Sequence, residues 1–301
     1  MDLDGPVHYV DFGGPDDGPV IVCVHGLGGS YLNWLAVGPQ LAKTCRVYAL
    51  DLPAHGLTPI AGRSTNVHEI QALLHRFIAE VAGAPAVLMG NSMGGMLTIM
   101  QAKADPKSVA GAVLLDPALP HGVKARPDPL VAAAFIGYAL PGIGERVMRE
   151  RRGRFTAAQL VRQTLDLCCA DPDRVDQTII DASEELATYR MQHAELDAGF
   201  LGAARSLLRV LWRRKPYEGA MDAIAAPVLL IHGDRDRLVP VHAARAVARR
   251  HRSWRYEELA GIGHVPMLEA GDVVVDLVVD WLGNEGSAAA ERATENRGAA
   301  R

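Results

Sequence analysis

The most constraining feature of the sequence is a short turn at residues 90–94, in which a glycine lies two residues on either side of Ser92. An apolar run at 87–89 precedes the turn, and a helix-like segment at 95–100 follows it. Strand, sharp turn and helix in this order are typical of the G-x-S-x-G nucleophile elbow, which holds a serine in a strained backbone conformation. Side chains at the glycine positions would collide with the neighbouring strand or helix. The turn therefore predicts a sheet with the Ser92 hydroxyl held at its top.

The rest of the chain alternates between buried strands and helices. Continuous apolar runs at 20–24, 46–50, 110–115 and 227–231 are typical of strands that are buried on both faces of a parallel sheet. Segments with helical periodicity separate them, including residues 67–81 and an expected helix at 31–43 that Gly38 and Pro39 interrupt. This order predicts an α/β fold with a mostly parallel, doubly wound sheet.

The alternation stops between residues 120 and 220, where several helical segments occur and no buried strand is visible. We therefore predict a discontinuous core at 1–119 and 221–283, with an inserted helical cap at 120–220. Residues 284–301 are Ala, Glu, Arg and Gly without apolar anchors, and they are predicted to be a disordered tail.

Composition limits the partners and the location of the protein. The 301 residues are 49% hydrophobic and carry a net charge of −4, which argues against a general nucleic-acid binder. No signal peptide or apolar run of about 18 residues is visible, so we expect a cytoplasmic protein without an integral membrane segment. The four cysteines, Cys23, Cys45, Cys168 and Cys169, lack zinc-ligand spacing and are expected to be reduced thiols.

A serine nucleophile needs a base and an acid that orients the base, and in a parallel sheet these lie at the carboxyl ends of the strands. His264 fits best as the base, because it lies in a Gly-rich loop between the last strand and the last helix. The acid remains open among Asp234, Asp236 and Asp116, which all follow buried strands. The oxyanion is expected to be bound by the backbone N–H groups of Met93 and Leu27.

These motifs resemble those of the α/β-hydrolase superfamily, in its capped, cofactor-free branch. The matching patterns are His-Gly-x-Gly at 25–28, Asp-x-Pro-x-His-Gly at 51–56, Gly-x-Ser-x-Gly at 90–94, Gly-x-x-Asp-x-x-Val-Pro at 233–240 and Gly-x-Gly-His-x-Pro at 261–266. The resemblance covers about residues 7–118 and 225–283, and it does not extend to the cap.

The resemblance implies a catalytic set of Ser92, Asp236 and His264, without cofactor or metal. It also implies that His25, Gly26 and Asn91 lie next to the substrate. Serine at the elbow implies acyl transfer, because the dehalogenases and epoxide hydrolases of this fold carry aspartate there. The expected activity is hydrolysis of carboxylic esters of medium-sized apolar substrates through an acyl-enzyme on Ser92, with perhydrolase or haloperoxidase activity as a side reaction.

Two alternatives remain. The elbow is similar to that of hydrolases that cleave carbon–carbon bonds in ring-fission products, although Leu27 and Val265 depart from their usual pattern. A ligand-binding protein with little turnover is the other alternative.

The cap sequence suggests two further properties. Its apolar residues are expected to line an acyl pocket or to face the core; they are Leu130, Val131, Phe135, Ile136, Leu140, Phe200, Leu201, Leu207 and Leu208. A basic cluster formed by Arg149, Arg151, Arg152 and Arg154 is interpreted first as a solvated helix face, with peripheral membrane contact as the alternative. The oligomeric state is not readable from the sequence.

Overall fold

The computed structural model describes residues 1–120 and 128–298, and for residues 285–298 it describes the backbone only. Residues 121–127 of the predicted cap and 299–301 of the predicted tail lie outside the described residues.

A seven-stranded sheet forms the centre of the molecule, in the order β1-β3-β2-β4-β5-β6-β7. The strands are β1 (Tyr9–Gly13), β2 (Val20–Val24), β3 (Arg46–Leu50), β4 (Ala86–Asn91), β5 (Val109–Leu115), β6 (Val228–Gly233) and β7 (Arg255–Leu259). Only β1 runs antiparallel to its neighbour, and every other pair is parallel. This sheet confirms the predicted fold class.

Helices cover both faces of the sheet and form the inserted segment. They are α1 (Gly38–Leu41), α2 (Val67–Phe77), α3 (Met93–Ala104), α4 (Pro129–Ala139), α5 (Ile143–Arg154), α6 (Ala157–Cys168), α7 (Gln177–Met191), α8 (Glu195–Trp212), α9 (Arg214–Asp222), α10 (Val241–Arg250), α11 (Pro266–Glu269) and α12 (Gly271–Gly298). Short 3₁₀ turns occur at Tyr31–Trp34, Pro106–Ser108 and Pro172–Arg174, and a π-helical turn at Ile78–Ala82 extends α2.

The side-chain alternation of the strands produces two hydrophobic cores, one on each face of the sheet. In β2, Val22 and Val24 face the core that α2 and α3 cover, whereas Ile21 and Cys23 face the core that α12 covers. All five residues of β2 are buried, as expected for a central parallel strand. All four cysteines are free thiols, and Cys23, Cys45 and Cys169 are buried.

Two helical segments differ from the sequence-based prediction. The segment expected as one helix at 31–43 is a 3₁₀ turn at Tyr31–Trp34 and the single turn α1, because Gly38 and Pro39 favour a new helix start. The last helix does not end before the predicted disordered tail but continues to Gly298. Alanine, glutamate and arginine are good helix formers, which explains a helical backbone in a segment without apolar anchors.

The residues of the inserted segment that the structure describes, 128–222, form α4–α9 and contain no strand. Their contacts lie on loops that follow the carboxyl ends of the strands. A Cβ built on Gly28 would lie 3.3 Å from the Phe200 ring, one on Gly199 would lie 2.2 Å from the Ala54 Cβ, and one on Gly263 would lie 2.4 Å from the Cys168 carbonyl oxygen. The helical segment therefore lies over the edge of the sheet at which β4 ends.

Candidate active site

Ser92 occupies the turn between β4 and α3 in a conformation that an L-residue rarely adopts, with φ of 54° and ψ of −114°. Neighbouring backbone surrounds both flanking glycines. A Cβ on Gly90 would lie 2.4 Å from the Gly94 carbonyl oxygen, and one on Gly94 would lie 1.9 Å from the Val24 carbonyl oxygen. Hydrogen bonds hold the strained residue, since the Ser92 N–H donates to Leu115 at 3.1 Å and the Ser92 carbonyl accepts from Ala118 at 2.9 Å. The elbow is thus a consequence of close backbone packing.

We predict that Gly94→Ala destabilises the protein by about 3 kcal/mol or more, because the new methyl group meets backbone atoms of β2 that cannot rotate away. Urea unfolding followed by circular dichroism measures the change. Gly283→Ala is the matched control, because a Cβ at Gly283 has no atom within 4 Å. Equal stability of the two variants would contradict the packing argument.

His264 and Asp236 form a buried pair on adjacent loops. The Asp236 carboxylate lies 2.7 Å from the Nδ1 atom of His264, and its other oxygen accepts the N–H groups of Leu238 at 2.7 Å and Val239 at 3.0 Å. Because the second oxygen is saturated by the backbone, the first is fixed in its direction toward the imidazole.

The electrostatics of this pair favour a charged carboxylate. Burial alone would raise the pKa of Asp236, but the charge and hydrogen bond of His264, together with His232 and the Val239 N–H, lower it overall. The stability that this carboxylate contributes is present above its unfolded-state pKa, and it is lost as the pH falls through the lower folded-state pKa.

The other two candidate acids, Asp234 and Asp116, make different contacts. One oxygen of Asp234 accepts the Gly261 N–H at 2.7 Å, so this carboxylate closes the loop rather than contacting His264. Asp116 is buried beside the pair, and ligand atoms of Asp116, Asp236 and His264 all lie within 4.8 Å of one another. The spacing would suit a metal ion, but Asp236 and His264 are already hydrogen-bonded to each other.

The surroundings of the Asp116 carboxyl favour its protonated form. Burial raises the pKa of Asp116 well above its usual range, the charge of Asp236 raises it further, and the Gly233 N–H at 2.9 Å offsets only part of this. The oxygen Oδ2 has no hydrogen-bond partner in the described part of the chain. His232 is buried, and its Nε2 lies 2.8 Å from the Val239 carbonyl oxygen.

Asp116→Asn is expected to keep the fold, since an amide reproduces a neutral carboxyl group that accepts from Gly233. Between the unfolded-state pKa of about 3.9 and the raised folded-state pKa, the native protein holds a proton that the unfolded chain has lost. The free energy of unfolding attributable to Asp116 therefore falls as the pH rises. Urea unfolding at several pH values should show that the free energy of unfolding of the variant increases relative to that of the wild type as the pH rises. If the free energy of unfolding of the variant instead falls relative to that of the wild type as the pH rises, Asp116 is charged.

The predicted substrate-facing and oxyanion residues divide into two groups. Gly26 and Met93 lie beside Ser92: a Cβ on Gly26 would be 2.9 Å from the Ser92 Cβ, and Met93 begins α3, where backbone N–H groups lack helical acceptors. The Gly29 N–H donates to Gly26 at 3.1 Å, so Leu27 lies within a tight turn.

His25 and Asn91 use their side chains within the protein. His25 is fully buried, contacts the Gly26 carbonyl through Nδ1 at 2.7 Å and accepts the Leu52 N–H through Nε2 at 3.0 Å. The Asn91 amide donates to the carbonyl groups of Leu115 at 3.1 Å and His264 at 2.9 Å. Asn91 therefore ties the elbow strand to the His264 loop.

Glu269 was missed by sequence reasoning. Its carboxylate accepts the Gly263 N–H at 2.8 Å and the N–H groups of Ala170 and Asp171 at 2.9 Å each. The His264 N–H also donates to the Cys168 carbonyl at 2.6 Å. The loop that carries His264 is thus bonded to the end of α6, and no local pattern indicates contacts across about 100 residues.

Aromatic side chains of the cap face the oxyanion loop. Phe200, beside Gly28, meets the Tyr138 ring edge-on at a centroid distance of 5.3 Å, and Tyr138 meets Phe135 at 6.2 Å. Leu201 and Leu207 are buried, but Leu130, Ile136 and Leu140 are exposed, contrary to the expectation that all apolar cap residues face the core or a pocket. No single described helix is long and apolar enough to cross a membrane.

Comparison with known proteins identifies the family of the chain. The chain belongs to the alpha/beta hydrolase family, whose sequence profile matches residues 21–277. It is 31% identical over 284 residues to a magnesium-chelatase 30 kDa subunit of Rhodobacter capsulatus, covering 92% of both chains. It is 30% identical over 263 residues to a pimeloyl-[acyl-carrier protein] methyl ester esterase of Aromatoleum aromaticum, covering 87% of this chain and 97% of the relative. An esterase from Thermogutta terrifontis has the same fold, with a TM-score of 0.68, 22% identity and 92% of each chain covered.

Proposed function

We propose that the protein is a serine hydrolase that cleaves carboxylic esters of medium-sized apolar substrates. The observation that carries the proposal is the buried 2.7 Å contact between His264 Nδ1 and Asp236, on a loop that Asn91 ties to the strand ending at Ser92. This contact orients the imidazole so that Nε2 is available as a base.

In the proposed reaction, His264 takes the proton of the Ser92 hydroxyl as its oxygen attacks the ester carbonyl carbon. The oxyanion is bound by the N–H groups of Leu27 and Met93. Collapse of the tetrahedral intermediate breaks the ester C–O bond, and His264 returns its proton to the leaving alcohol. Water then attacks the acyl-enzyme with His264 as base, which releases the acid and restores Ser92.

The cap supports an apolar acyl group. Phe200 lies beside Gly28 and packs with Tyr138, Leu201 and Ala204 in an apolar cluster. The Tyr138 hydroxyl accepts a hydrogen bond from Arg151 at 3.0 Å. The Aromatoleum relative, a methyl ester esterase, is consistent with ester cleavage.

A panel of p-nitrophenyl esters of rising chain length, together with one ring-fission dienone, tests the proposal. We expect turnover to be highest near a hexanoyl-sized chain and absent for the dienone, with no turnover by Ser92→Ala. Faster cleavage of the dienone than of every ester would favour the carbon–carbon hydrolase. A preference for charged acyl groups would contradict the apolar pocket.

Ligand or partner binding with little turnover is a second candidate, because the Rhodobacter capsulatus relative is named as a subunit of a magnesium chelatase. Labelling with a fluorophosphonate separates the two functions, since the reagent reacts only with an activated serine. An adduct on Ser92 of the folded protein supports the hydrolase. Folded protein without an adduct supports the binding protein.

A further inference from the structure

Helix α4 is apolar on all sides, but only one side is covered. It contains no charged residue. Val131 and Tyr138 are buried, whereas Leu130 and Ile136 are 64% and 61% exposed. Leu140, which follows α4, and Ile143, the first residue of α5, are 45% and 49% exposed. We call these four exposed residues, Leu130, Ile136, Leu140 and Ile143, the apolar ridge. Large exposed apolar side chains grouped on one element are typical of an interaction surface.

An exposed tryptophan lies on the helix that packs beside the ridge. Trp212, at the end of α8, is 89% exposed. Arg205, seven residues earlier, donates to the Tyr138 carbonyl at 3.0 Å and so faces the end of α4. Seven residues are about two helical turns, so Trp212 lies on the same face of α8 as Arg205. The other tryptophans, Trp34, Trp254 and Trp281, are at most 9% exposed.

Cations surround this surface. In the described chain, six basic side chains near it form no ion pair: Arg149, Arg151 and Arg154 on α5, Arg209 and Arg213 beside Trp212, and Lys215 on α9. Of these, Arg151 donates to the Tyr138 hydroxyl at 3.0 Å. The two carboxylates of α5 are neutralised, since Glu145 pairs with Arg205 and Glu150 with Arg146. A chain with a net charge of −4 therefore presents a locally positive face.

We propose that the apolar ridge, Trp212 and the surrounding cations form a docking surface for an anionic lipid bilayer. A bilayer matches both parts of the surface, because apolar side chains enter the boundary of headgroups and acyl chains while arginines meet lipid phosphates. Tryptophan is enriched at this depth. Helices α4 and α5 meet at an angle of 114°, which fits a hairpin that lies on the membrane rather than crossing it.

Charge decides against the other occupants. A second copy of the chain would bring two positive faces together, which is unfavourable. A nucleic acid would neutralise the arginines but leave the apolar ridge in water. Docking requires no turnover, so this inference goes beyond the proposed function and can fail or succeed independently of it.

Binding to vesicles tests the inference directly. The full chain is mixed with vesicles of phosphatidylcholine alone or with added phosphatidylglycerol, and co-sedimentation and tryptophan emission are measured. We expect binding to the anionic vesicles with a blue shift from Trp212, and weaker binding as salt rises. Trp212→Phe should lose the shift, because the other tryptophans are buried. Absence of binding to anionic vesicles would overturn the proposal.

Matched variants locate the surface. Ile136→Glu is expected to weaken vesicle binding at least about tenfold, while Val279→Glu, at a 41% exposed position on α12, leaves it unchanged. Arg213→Gln should weaken binding to anionic vesicles only. Thermal unfolding establishes that each variant is folded. Equal weakening by Ile136→Glu and Val279→Glu, or a dimer in solution that Ile136→Glu dissociates, would contradict a lipid surface at this position.

Discussion

Ser92→Ala should abolish ester hydrolysis, with kcat falling about 10⁵-fold or more, while the protein remains folded. The hydroxyl group serves only the chemistry in the proposed mechanism, and alanine fits wherever serine does. The measurement is steady-state hydrolysis of a p-nitrophenyl ester at saturating substrate, with circular dichroism as the test of folding. The surrounding hydrogen bonds stabilise the strained backbone at this position, and the variant keeps them.

Two results would count against this assignment. Activity within about tenfold of the wild type would exclude Ser92 as the nucleophile, because loss of a nucleophile costs several orders of magnitude. Loss of the folded signal would leave the activity measurement without meaning, so fluorophosphonate labelling of the wild-type protein supplies the independent evidence. That label should map to the peptide that contains Ser92.

Asp236→Asn should lower kcat by about 10⁴-fold, because the amide would favour the wrong tautomer of His264 and leave the developing imidazolium without a charged partner. The change keeps the size of the side chain and the two backbone N–H bonds to its other oxygen.

Asp234→Asn is the matched control for this prediction. Asp234 lies two residues away and accepts from the Gly261 backbone, so its loss should affect kcat much less. A larger effect of Asp234→Asn would mean that the loop register differs from the structure. Mild effects of both variants would make Asp116 the acid, since it lies in the same cluster.

Local patterns were sufficient for the parts of the fold that depend on neighbouring residues. The continuous apolar run of β2 and the glycines around Ser92 indicate a buried parallel strand and a tight elbow, because burial and backbone approach act within a few residues. Residues 128–222 form α4–α9, and the lack of a clear buried strand in this stretch is the local pattern from which helices are predicted.

Features that depend on distant residues could not be obtained in this way. Placement at strand ends left three acids open, and the family resemblance implied Asp236. The three-dimensional arrangement brings Asp236 rather than Asp234 to His264. The exposure of Ile136 could not be predicted from local patterns either, because an apolar helix can be covered on one side or on all sides. The long α12 shows that helix propensity acts without a hydrophobic anchor, which the disorder prediction neglected.

The hydrogen bonds of the His264 loop hold one side of the cap to the sheet. Because the end of α6 bonds to His264 through the Cys168 carbonyl and to Glu269 through Ala170 and Asp171, this side cannot separate from the sheet without displacing the base. Heating that loosens α6 first would displace His264 while the sheet is still intact, so thermal loss of the proposed activity would report on this attachment and not on the melting of the core.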